Sequence, residues 1–178
     1  KLMALGQSTA FGSFLFIALS FAALTHAYVI SDFSLQNVWE NSHSAKPMLY
    51  KITGVWGNHE GSMLLWILIL SFFGALVAWF GTTLPSDLRA NVLGVQAWIV
   101  IAFLLFILLT SNPFNRLTPA PFEGNDLNPI LQDIGLAIHP AMLYLGYVGF
   151  SVTFSFAVAA MISGRIDAAW ARWVRPWA

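Results

Sequence analysis

The chain has 178 residues, 58% hydrophobic and only 9% charged, where a soluble globular domain carries about 25% charged residues. Eight Lys and Arg balance eight Asp and Glu, which leaves no basic surface for nucleic acid and no acidic tail. The absence of cysteine excludes disulfides, thiolate metal sites and a cysteine nucleophile.

Four stretches carry no charge at all: 2–31, 61–86, 90–115 and 134–164. Each exceeds the roughly 20 residues that a spanning helix needs. Backbone polar groups in hydrocarbon must be satisfied internally, so runs of this length mean helices. The expectation is an all-α polytopic membrane protein, and soluble enzyme folds are excluded. The first span has its core at 10–30. It opens almost directly from Lys1 and ends without a small-residue cleavage site, which reads as a retained helix and not a signal peptide. His26 sits near its outer end, as a hydrogen-bonded interfacial side chain or a ligand.

The loop 32–60 follows, with His43 in a polar, solvated context. It ends in Trp56-Gly57-Asn58-His59-Glu60-Gly61-Ser62 at the entrance to the second span, 62–80. A His-Glu pair between two glycines can orient an imidazole or bind a polar group. It also suits a tight turn, with Trp56 in an interfacial belt and Glu60 near a helix N-terminus. The spacing leaves both readings open. No second His follows at helical spacing, so this is not a zinc signature.

A short turn around 85–91 leads into the third span, 92–110, and a second long loop occupies 116–133. Asn128-Pro129 is a good start for a short interfacial helix over 129–138. His139-Pro140 repeats the pattern, so the fourth span is placed at 140–163 with His139 at its lip. On a helical wheel Leu143, Gly146 and Phe150 lie below His139. A glycine there lets a flat ligand approach the backbone, and an imidazole over such a shelf can serve as an axial ligand to haem iron. On spacing alone a lone interfacial histidine wetted in the headgroups is the commoner reading. No carboxylate or lysine lies within a span, which counts against a transporter.

Short segments with Lys1, Arg89, Arg165, Arg172 and Arg175 alternate with long loops that hold only Lys46, Lys51 and Arg116. By the positive-inside rule both ends face inward and the loops outward. No repeat or linker divides 1–178, which reads as one membrane domain. Both termini suggest a fragment of a larger bundle.

Two stretches carry a resemblance. Leu49-Tyr50-Lys51-Ile52 with Trp56–Ser62 and Leu64-Leu65-Trp66 is similar to the third-helix region of the CcmF/CycK/NrfE family. Gly135-Leu136-Ala137-Ile138-His139-Pro140, continuing through Met142–Ser151, resembles that family's first outer histidine and the span after it. The family is the haem lyase subunit of the bacterial and mitochondrial cytochrome c maturation system. The resemblance implies cytochrome c biogenesis on the outer, periplasmic face of a bacterial inner membrane, with the mitochondrial inner membrane as the other compartment. It implies substrate haem b received from a haem chaperone, with His139 as one axial iron ligand and Gly146 beneath the ring. The haem is then attached to an apocytochrome c, delivered with a thiol-handling partner subunit. It gives Trp56, Gly57, His59, Glu60 and Gly61 importance but no chemical role.

The family's tryptophan-rich segment, second outer histidine, first span and intramembrane haem b ligands have no counterpart here. The fragment alone is therefore not expected to be active, and no residue is assigned as catalytic. The alternatives are a structural subunit of a respiratory or quinone-reactive complex and, less favoured, a transporter subunit.

Overall fold

The computed structural model describes residues 2–164 and 166–177, with the side chains of residues 2–4 and 136 outside the description. Lys1 and Arg165, two of the charges behind the inward assignment of the ends, lie outside it. The helices are α1 (Leu2–Ile30), α2 (Gln36–Asn41), α3 (Met48–Gly54), α4 (His59–Phe80), α5 (Ser86–Thr110), α6 (Ile134–Ser163) and α7 (Ala168–Val174). Single 3₁₀ turns sit at Gly81–Thr83, Pro129–Leu131 and Arg175–Trp177. The four long helices α1, α4, α5 and α6 are each long and apolar enough to cross a membrane, and no strand occurs among the described residues.

The main departure from the sequence reading is where α6 begins. The expected helix 129–138 is reduced to one 3₁₀ turn, with the Asn128 side chain accepting from Ile130 N at 3.1 Å. The residues after it join the span. Asp133 supplies the start: its Oδ1 accepts from Gly135 N at 2.8 Å and its carbonyl from Ala137 N at 2.8 Å. That is a side-chain N-cap of the ordinary kind. Pro140 then lies inside the helix instead of opening it, and the His139 backbone is already helical.

The chain forms two compact units. One comprises the residues through Ile17, Ile67–Phe103 and those from Tyr144 onward. Its core gathers Val77, Ala78, Leu88, Val92, Val152, Phe156, Ala159 and Val174. Within it Gln96 Nε2 donates to Ser151 Oγ at 3.1 Å, an interhelical bond of the sort worth about 0.6 kcal/mol in a bilayer. Ser155 and Ala159, on the same small-residue stripe as Ser151, are fully buried. The Asp167 side chain caps α7 by accepting from Trp170 N at 2.8 Å.

The other unit comprises Ala18–Trp66 and Leu104–Leu143. Its core is Leu24, Ala27, Tyr28, Phe33, Leu35, Val38, Val55 and Leu64, with Phe21, Trp39 and Trp56 packed against it. The two long loops are tied by backbone bonds, Gln36 N to Asn115 O at 2.9 Å and Leu117 N to Ser34 O at 2.8 Å. Gly124 is pressed so close to the Ser42 carbonyl that a Cβ would fall 2.0 Å from its oxygen. These loops are packed structure, and all the candidate site residues read from the sequence except Gly146 belong to this unit.

Candidate functional site

The segment from Trp56 to Ser62 is a turn between α3 and α4, and its organiser is Asn58. The Asn58 Oδ1 accepts from Gly61 N at 2.8 Å and from Asn37 Nδ2 at 2.8 Å. Its Nδ2 donates to Tyr28 OH at 3.0 Å and to Gly54 O at 3.0 Å. The buried Tyr28 hydroxyl in turn donates to Asn37 Oδ1 at 2.7 Å. One amide thus joins α1, α2, the end of α3 and the head of α4. Gly61 is obligatory here, since a Cβ would sit 1.7 Å from the Val55 carbonyl oxygen. Gly57 is tight, with a Cβ 3.3 Å from Leu127 Cδ1.

The other motif residues are largely engaged as well. His59 opens α4 with an exposed ring, its Nε2 3.0 Å from Ser111 Oγ and its edge against Phe106. Glu60 Oε2 accepts from Asn37 Nδ2 at 3.3 Å. Glu60 and Ser111 also line a polar cavity of about 170 Å³ with Gln36, Asn37, Glu40 and Thr110. Trp56 Nε1 donates to the Ala137 carbonyl at 2.7 Å, and its ring stacks on Phe21 at 6.4 Å.

His139 is different. It lies in the second turn of α6, exposed, and takes part in no hydrogen bond or ion pair with the described residues. Ile138, Met142 and Leu143 beside it on the helix are also exposed. Gly146, further along α6, is exposed, and a Cβ built on it meets none of the described residues within 4 Å. A free imidazole with an apolar, sterically open surround fits an axial ligand for a flat macrocycle. Of the remaining histidines, His26 is exposed. His43 is half-buried, with Nδ1 accepting from Ala45 N at 3.1 Å and Nε2 4.0 Å from Glu123 Oε1.

The loop electrostatics serve packing. Glu123 accepts from the Ser44 hydroxyl, Ser44 N and Gly124 N. Those donors hold its carboxyl down at about 2, with His43 adding a smaller push the same way. Lys46 is buried, its Nζ donating to Asn41 O at 2.9 Å. Burial lowers its ammonium to about 8, opposed by Asp126 and helped by Lys51.

The sequence motif therefore separates into two parts. Gly57, Gly61 and Glu60 are knitted into a structural turn, while Trp56 reaches the first turn of the helix that carries His139. Asn58, Asn37 and Tyr28, which hold the turn together, were not among the sequence candidates. An Asn just before a helix is a capping signal that points to Asn58. Nothing local points to the other two.

The sequence model described as Cytochrome C assembly protein matches residues 56–178. The cytochrome c-type biogenesis protein CycK of Rhizobium meliloti is 74% identical over 99% of this chain and 26% of its own length. The cytochrome c-type biogenesis protein CcmF of Pseudomonas aeruginosa is 55% identical over 98% of this chain and 27% of its own. For NrfE of Haemophilus influenzae the figures are 43%, 89% and 25%. Among solved structures, one titled Cytochrome c Heme Lyase CcmF matches with a TM-score of 0.79 and 29% identity, over 96% of this chain and 26% of that one. The chain thus spans about a quarter of the length of the relatives it matches.

Proposed function

This chain belongs to the cytochrome c assembly protein family, and from that premise we propose that it presents one axial ligand to substrate haem in a cytochrome c haem lyase. The observation that carries the proposal is His139, an exposed imidazole with no internal partner among the described residues, at the head of α6. Support comes also from the open surface at Gly146 and from the name of the solved relative, a haem lyase.

In this reading His139 Nε2 or Nδ1 coordinates the iron of haem b, delivered by a haem chaperone. The apolar side chains beside it cover the macrocycle. Haem bound this way supplies vinyl groups for thioether formation with the cysteines of an apocytochrome c, which arrives with its thiol-handling partner. What this chain does is hold and orient. A second, intramembrane haem b belongs to segments other than these. The membrane is the bacterial inner membrane, with both ends of the chain inside and the 32–60 and 116–133 loops on the periplasmic face, in line with the distribution of Lys and Arg.

The test is the yield of holocytochrome c in cells whose only copy of the protein carries His139→Ala. The proposal expects loss of covalently haem-stained cytochrome c with the variant inserted in the membrane at wild-type level. Wild-type yield would overturn it.

A further inference from the structure

The turn of α6 that carries His139 is short of one helical hydrogen bond. Pro140 has no N–H, so a carbonyl one turn back lacks its usual donor, and the proline ring crowds the residue before it, which is His139. The direction of the imidazole is set by backbone that the helix alone holds incompletely.

A side chain from a distant part of the sequence holds the carbonyl next to the one that Pro140 leaves without its donor. Trp56 Nε1 donates to the Ala137 carbonyl at 2.7 Å, two residues before His139 and 81 residues from Trp56. Ala137 is buried at this contact, 5% exposed. The indole is itself fixed: its ring stacks on Phe21 of α1, and the turn that bears it is held by Gly57 N donating to Gly54 O at 3.1 Å. The same turn meets the segment leading into α6, where Gly57 faces Leu127 and Gln132 Nε2 donates to the Leu127 carbonyl at 3.2 Å. The Trp56-Gly57 pair thus grips the His139 segment both at its first helical turn and upstream of it.

We propose that Trp56 is a positioning residue for His139: its indole N–H fixes the Ala137 carbonyl, and with it the angle at which the imidazole meets haem iron. The inference rests on the ligand reading of His139. Trp56 never touches haem; it acts through the backbone of α6. Coordination bonds are directional, so a turn that is free to tilt presents the nitrogen correctly only part of the time, and affinity falls by that fraction.

The experiment is haem titration of the membrane-embedded protein with Trp56→Phe, which keeps an aromatic ring against Phe21 and removes the N–H. It is run in two backgrounds: native His139, and His139→Gly with free imidazole supplied as the ligand. In the native background the Kd for haem rises about fivefold, the usual worth of one hydrogen bond. In the imidazole-supplied background it changes by less than about twofold, since a diffusible ligand needs no positioning. Trp98→Phe, at a tryptophan 73% exposed, leaves both unchanged. Equal weakening in the two backgrounds would mean that Trp56 supports the fold at large, and no weakening in either would mean that it does nothing for the ligand; each overturns the inference. If His139→Gly without imidazole binds haem like the wild type, the ligand reading itself falls.

Discussion

Two histidine-bearing helix heads belong to the same compact unit, and they are built in opposite ways. At the head of α4, His59 bonds Ser111 beside a dense network of Asn58, Asn37 and Tyr28. At the head of α6, His139 is exposed and bonds none of the described residues, while the backbone beneath it is gripped by Trp56. A histidine whose nitrogen is occupied contributes to stability. One that is exposed on a braced backbone can take a ligand from outside.

The sharpest way to break the comparison is to swap the two residues' fates. His139→Ala should abolish haem capture with membrane insertion intact, because the apolar spans insert without reference to one lip residue. Gly61→Ala should do the converse. Its methyl would land on the Val55 carbonyl, costing about 1–3 kcal/mol by overpacking. Thermal unfolding followed by tryptophan fluorescence should then shift down while the haem spectrum of the folded fraction stays wild-type. Asn58→Ala takes the side-chain acceptor from Gly61 N and one partner each from Tyr28 and Asn37 for about 1–2 kcal/mol, read by the same melt. His59→Ala removes a single hydrogen bond at an exposed ring, for about 1 kcal/mol, and should leave haem capture unchanged.

The smallest effect is electrostatic. The Lys46 ammonium is lowered from 10.5 to about 8 by burial, so between those values the unfolded chain binds more protons than the folded one. Stability of this unit therefore rises as pH is raised through that window and is reduced below about 8. Lys46→Met should flatten that slope in melts taken from pH 7.5 to 10.5.

The sequence made the four long helices readable because stretches free of charge and this long have one stable form in hydrocarbon. Their starts were harder. Apolarity alone places the third span at 92, yet α5 begins at Ser86, since Asp87 and Arg89 are charged but helical. Pro140 reads as a helix start because proline is over-represented there; the stronger signal is Asp133, whose side chain caps the true beginning. His139 was legible as a candidate through its neighbours in sequence. That Trp56 holds the Ala137 carbonyl two residues before it, and that Asn58 with Tyr28 and Asn37 builds the adjoining turn, depends on contacts between residues far apart in the chain, which no local pattern encodes.

The central claim is that His139, and not His59, meets the iron. The most direct measurement is the visible and resonance Raman spectrum of haem bound by the membrane-embedded protein, wild type beside His139→Ala and His59→Ala. The account predicts that His139→Ala loses the bound haem or changes its coordination and spin state, with His59→Ala indistinguishable from wild type. An unchanged spectrum in His139→Ala, or a changed one in His59→Ala alone, would contradict it.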